Sequence, residues 1–181
     1  MKLRTVLVIG LLFAAAGCVS LIGSHDKEVP IFKLQQALQN KFPFNKRYLD
    51  LFDITVSNPT LSLQPDTNRV ITAFDARVAP AFLKQAWQGK LVLSGALKID
   101  ATRNAVVLTE PRLENLSLDA ATASNTAKLA KLGAQLAEDL LNDTVIYTFK
   151  PEEFAMAGMR FAPTKITTRA NALVVSFEPV K

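Results

Sequence analysis

The chain has 181 residues, with 21 basic and 16 acidic side chains and a formal charge of +5 at neutral pH. Its charges are interspersed and form no like-charge block, so the electrostatic footprint of a nucleic-acid partner is missing. A single cysteine excludes a disulfide framework and a thiolate metal site, and seven glycines leave few positions for a phosphate-cradling loop or a dinucleotide fingerprint.

The first element is a targeting signal. Lys2 and Arg4 precede the apolar run Val6 to Phe13, and Ala14-Ala15-Ala16-Gly17 narrows to small side chains before Cys18. That order matches a bacterial lipoprotein signal, in which a peptidase cuts before a cysteine that already carries diacylglycerol. The apolar stretch from Val6 to Ala16 is about eleven residues, against the roughly 20 that a spanning helix needs. A plain transmembrane anchor is therefore disfavoured. Cleavage by the ordinary signal peptidase at Ala14-Ala15-Ala16 is the closer rival. Residues 1–17 are read as the signal, 18–29 as a lipidated tether and 30–181 as one domain. Val19, not Asp, follows the cysteine, and in enteric-type bacteria this directs the product to the inner leaflet of the outer membrane, facing the periplasm. The mature net charge falls to about +3, since Lys2 and Arg4 leave with the signal.

After Pro30, the residues Ile31, Leu34, Ala37 and Leu38 share one helical face until Phe42-Pro43, which predicts a helix from Ile31 to about Lys41. Phe52, Ile54 and Val56 then alternate with polar residues as a half-buried strand does, with a turn or bulge at Asn58-Pro59 and resumption at Leu61 and Leu63. Long strands are expected over Arg69 to Ala79, Lys90 to Asp100 and Ala105 to Asp119, the last disturbed at Pro111. Ala81 to Gln88, with Phe82, Leu83, Ala86 and Trp87, reads as a short helical excursion closed by Gly89. Thr126 to Asn142 carries Leu129, Leu132, Leu136 and Leu140 flanked by further apolar residues. So wide a stripe fits a helix buried by a sheet curling around it or half of a partner-binding seam, and the long antiparallel strands around it in sequence favour the first. Val145, Tyr147 and Phe149 form a short strand, Pro151 to Phe161 a loop, and Ile166 to Thr168 and Leu173 to Phe177 a final hairpin turning at Ala170-Asn171.

The order of helix, strands, helix and strands predicts α+β architecture: a curved antiparallel sheet wrapped around a long helix in the C-terminal half, with a short N-terminal helix. Cys18 in its lipobox, Leu34-Gln35-Gln36-Ala37-Leu38 running to Phe42-Pro43, the Leu63-Gln64-Pro65 turn, the Asp100 to Asn104 hairpin and the late Leu-rich helix together resemble the YceB-like bacterial lipoproteins. The resemblance covers Ile31 to Pro179. It implies a roll similar to the tubular lipid-binding fold, from a family without an established activity.

Catalytic constellations are missing from the pattern. His25, the only histidine, stands in the expected tether, away from any nucleophile. Glu138-Asp139 and Glu152-Glu153 are neighbours in sequence, unlike carboxylates that face each other across a cleft. The expectation is a non-enzymatic protein with no cofactor and no metal. Its membrane partner is reached through the lipid on Cys18. Its ligand is a phospholipid, fatty acid or similar amphiphile held between sheet and helix by Leu91, Leu93, Leu97, Val106, Leu108, Leu132, Leu136 and Leu140. The alternative is an envelope interaction module with a solid core, docking on a protein partner through Phe82, Leu83 and Trp87 or through the Met156 to Phe161 loop.

Overall fold

A computed structural model describes residues 23–119 and 126–180. The segment read as a targeting signal, and Cys18 with it, lie outside the described residues. The elements in chain order are β1 (His25–Pro30), α1 (Ile31–Gln39), β2 (Phe44–Tyr48), β3 (Phe52–Gln64), β4 (Arg69–Pro80), β5 (Trp87–Asp100), β6 (Ala105–Leu118), α2 (Thr126–Leu141), β7 (Val145–Thr148), a 3-10 turn (Pro151–Phe154), β8 (Ala155–Met156), β9 (Met159–Thr168) and β10 (Ala172–Pro179).

The strands form two curled antiparallel sheets, one ordered β2-β3-β4-β5-β6-β7 and the other β1-β10-β9-β8. This overturns the expected α+β roll around a long helix. Among the described residues the protein is mostly β, and the two helices there have nine and sixteen residues. The reason lies in α2. Leu132, Gly133, Leu136, Ala137, Leu140 and Leu141 are buried against β6 and β5, whereas Ala130, Lys131, Ala134, Gln135, Glu138 and Asp139 are exposed. Ala130 and Ala134 widen the stripe in sequence, yet alanine tolerates solvent, so one face of the helix packs and the other stays wet. The helix rides close on the sheet: a Cβ added at Gly133 would lie 2.7 Å from the Leu113 side chain.

Strand alternation is the main determinant of the larger sheet. Val70, Thr72, Phe74, Ala76 and Val78 of β4 are all buried, facing the same core as Ile54, Val56, Leu61 and Leu63 of β3 and Leu91 and Leu93 of β5. Register slips at Ser57/Thr60, where Asn58 adopts φ 51°, so the Asn58-Pro59 signal is a bulge within one long strand. The backbone that the bulge leaves open is satisfied from α1: Gln35 Nε2 donates to the Pro59 carbonyl (2.6 Å) and Gln35 Oε1 accepts from Leu61 N–H (2.7 Å). Near Pro111, Glu110 takes φ 47° and its carbonyl accepts from the buried Arg69 guanidinium at 2.6 Å, while Arg69 Nε donates to Ser94 Oγ at 3.0 Å.

Residues 81–86 form turns and bends, not a helix, and the chain is already in β5 at Trp87, which pairs with Val78. Residues 25–29, read as tether, form edge strand β1 against β10 together with Pro30. The smaller sheet crosses one end of the larger. Asn68, between β3 and β4, donates to the Ile166 carbonyl (3.0 Å) and accepts from Thr168 N–H (2.7 Å), and Thr168 Oγ1 donates to the Gln64 carbonyl (3.0 Å). One contiguous core joins both sheets and both helices.

Candidate functional site

The eight residues expected to line a ligand groove lie together, but inside the packed core. Leu91, Leu93, Val106 and Leu108 are 0 % exposed, Leu136 2 %, and Leu132 and Leu140 6 %. Leu97 is half-buried against the same cluster. Sheet and helix meet at van der Waals distance there, as the Gly133 to Leu113 approach illustrates, and a Cβ at Gly95 would sit 3.3 Å from Leu108. Among the described residues these side chains pack on one another between sheet and helix.

Open apolar space lies elsewhere, at the end where the two sheets cross. A cleft of about 680 Å³ is bounded by the β5–β6 hairpin, the segment Phe149 to Ala155 and strand β9, with Val180 at its rim. Phe149 is fixed by a 2.8 Å bond from its N–H to the Asn104 carbonyl. Pro151 then starts the 3-10 turn, which Glu153 braces: its carboxylate accepts from Tyr147 OH at 2.6 Å and from Lys150 N–H at 3.3 Å, and Lys27 Nζ lies 3.4 Å away. Burial, followed by this bond to the Glu153 carboxylate, holds the Tyr147 pKa well above the ordinary phenol range.

Behind the cleft stands an aromatic lattice. Phe149 meets Tyr147, Phe154 and Phe177 edge-on at centroid distances of 5.5, 5.8 and 5.5 Å. His25 stacks on Phe177 at 5.2 Å and meets Phe161 edge-on at 4.7 Å. Such offset and edge geometries are the favourable ones for aromatic pairs and stiffen the wall. His25, expected in open tether, is thus part of the layer beneath the cleft.

Two ionisable groups reach the lining, Asp100 and Arg160. Asp100 accepts from the backbone N–H of Thr102 and Arg103 and from Arg103 Nε at 2.6 Å, and these bonds, the Arg103 backbone first, hold its carboxyl below the usual range. A carboxylate so engaged stays ionised and is a poor proton donor or acceptor. The arrangement is compatible with a ligand-binding groove that offers apolar walls and a cation at Arg160.

Sequence reasoning missed this site because its walls come from segments read separately as strand, loop and hairpin. The clustering of Phe149, Phe154 and Phe161 around Pro151 was the available signal. A further, polar depression of about 520 Å³ lies on the outer face of the larger sheet, lined by residues such as Thr55, Asp75, Arg77 and Lys90. Among the described residues no group of three or more His, Cys, Asp or Glu is placed to hold a metal ion, and no helix is long and apolar enough to cross a membrane.

A family model described as a protein of unknown function (DUF1439) matches residues 32–171. No curated protein matches the chain.

Proposed function

The chain belongs to the DUF1439 family, and from that premise we propose that it is a YceB-like lipoprotein. In this reading it is held by acylated Cys18 to the inner leaflet of the outer membrane and binds an amphiphile non-enzymatically on the periplasmic side. The observation that carries the binding reading is the open cleft of about 680 Å³ with aromatic and proline walls, a size within the usual range for small-molecule sites. Curled sheets that leave such an opening suit an acyl chain. Phe154, Pro151 and Pro163 offer it apolar contact, and Arg160 at the lining offers a cation to a carboxylate or phosphate head. The proposed site thus lies not among the packed leucines of the sheet–helix contact but at the end where the two sheets meet.

The lipobox supports the anchor. The opening also lies beside the start of β1, since His25 contacts Phe161 of the lining, so an anchored chain would hold its cleft near the membrane that supplies the ligand.

Native mass spectrometry of the full chain purified from bacterial envelopes tests the reading. The expected result is a bound fatty acid or phospholipid that is lost in Ala155→Trp, where an exposed lining position gains bulk without entering the core, while thermal stability is kept. A ligand-free mass for the unsubstituted chain under gentle conditions, with no gain on adding fatty acid, would overturn it.

A further inference from the structure

At the end of the larger sheet remote from the cleft, two neighbouring turns present large apolar side chains to solvent. Leu49 (68 % exposed) and Leu51 stand on the β2–β3 turn, and Phe82 (64 % exposed) and Leu83 on the β4–β5 connection. The turns are fastened to each other. Ala81 N–H donates to the Leu51 carbonyl at 2.7 Å, and Phe52 meets Phe82 edge-on at 6.0 Å. Leu49 is also in the left-handed region, at φ 53°, followed by Asp50 at φ 55°. Asn, Asp or Gly takes that conformation at lower cost, so a leucine there is both strained and exposed, a combination that points to use rather than packing.

We infer that this tip is a second membrane contact: Leu49, Leu51, Phe82 and Leu83 seat in the interfacial layer of the bilayer that holds the chain. Shape and size favour a bilayer over a protein. The side chains are convex knobs on two turns, and four of them fall far short of the roughly 20–30 residues a side of a standard protein interface. A bilayer needs no complementary groove. Half-buried Trp87 and Tyr48 flank the knobs, as amphipathic rings do at a membrane interface, and exposed Lys84 adjoins them, whereas neighbouring Arg47 is paired with Asp53.

Reach is the second argument. It rests on the anchored reading above, whereas the exposure of the tip does not. The cleft end and the tip are separated by the length of β5, 14 residues, or about 45 Å at ~3.3 Å per residue. His25, at the cleft end, is seven residues from Cys18, a reach of at most about 24 Å. Both contacts can be made together only if the long axis of the domain lies within about 30° of the membrane plane. Anchoring also keeps the bilayer at high effective concentration, so weak insertion of a few side chains is enough.

Cys18 is the only cysteine, so an introduced thiol can be labelled selectively. Full chains carrying Leu83→Cys, or Asp66→Cys at the opposite end of β3 and β4, receive an environment-sensitive fluorophore, with the unsubstituted chain measuring any label at Cys18. They are then bound to phosphatidylethanolamine–phosphatidylglycerol vesicles containing a headgroup-depth quencher. Quenching should be several-fold stronger at position 83 than at 66, and should fall toward the level at 66 when Leu49→Ser and Phe82→Ser are added. Equal quenching at both positions would overturn the tip contact and redirect it to a protein groove. Flotation with the vesicles after a high-salt wash reads the anchor separately. A chain that floats without the quenching difference loses the tip and keeps the anchor, and one that is quenched at the tip but fails to float loses the anchor alone.

Discussion

Asp100 illustrates how a single side chain shapes the cleft. It closes the β5–β6 turn by accepting from the Thr102 and Arg103 N–H groups and from the Arg103 guanidinium, which also pairs with Asp143 just after α2. Hairpin, helix end and cleft rim are thereby joined. Because the folded-state pKa is depressed, the stabilisation is complete above the ordinary carboxylate value and is lost as pH falls through the depressed one. Asp100→Asn should therefore melt at a lower temperature than the unsubstituted protein at pH 7, and the gap should narrow as pH falls from neutrality through and below the ordinary carboxylate value. Melting curves across that range check it, and a gap independent of pH would mean that the charge of Asp100 contributes nothing. At this scale the sequence was partly legible. The Asp100 to Asn104 hairpin follows from its turn residues, but the partnership of Arg103 with Asp143 joins residues 40 positions apart, which no local pattern reports.

Among the elements, α2 forms where the sequence expects a helix but is not wrapped by the sheet. Its burial is one-sided, so the two faces should respond differently to the same change. Leu136→Asp places a carboxylate among buried leucines and should cost several kcal/mol, by either lost charge or lost packing. Lys131→Asp on the exposed face should cost less than about 1 kcal/mol. Denaturant unfolding of both variants is the measurement, and equal losses would show that the helix is enclosed on all sides or docked on none. Strands were legible wherever one face is buried, as along Val70 to Val78, because alternation then records the sheet. Strand β2 was missed since Phe44 and Tyr48 are separated by Lys46, whose ammonium bonds Asp139 at 2.6 Å while its stem covers the sheet edge. Strand β1 was missed for a related reason: its polar His25 to Glu28 lie along an edge, where ion pairs such as Glu28 with Arg169 replace apolar alternation. The Ala81 to Gln88 segment imitates a helix because Phe82, Leu83, Ala86 and Trp87 fall at helical spacing. In the fold the first two face solvent, and Trp87 belongs to a strand.

For the whole molecule, the proposed arrangement has an anchor and a cleft at one end and an apolar tip at the other, joined by strands that run the length of the larger sheet. The anchor is the part most directly testable. Thioether formation requires the Cys18 sulfur, so Cys18→Ser should abolish metabolic palmitate labelling and leave the precursor uncut or cut elsewhere. Label persisting on the serine variant would remove the lipoprotein assignment.

The sequence by itself determined what depends on neighbours along the chain. These are the long alternating strands, the interruption at Asn58-Pro59 and the apolar face of α2. Each is a periodicity or a local stereochemical preference, and such preferences survive without knowledge of the partner. Only the tertiary structure decided which apolar residues close on one another and which stay open. Leu132 and Phe154 are both apolar as text. Leu132 is buried at the sheet–helix contact, whereas Phe154 is only half-buried and lines the cleft in front of buried Phe149 and Phe161. The same holds for Leu49 and Phe82, far apart in sequence and exposed together, because burial is a property of pairs of surfaces and not of residues.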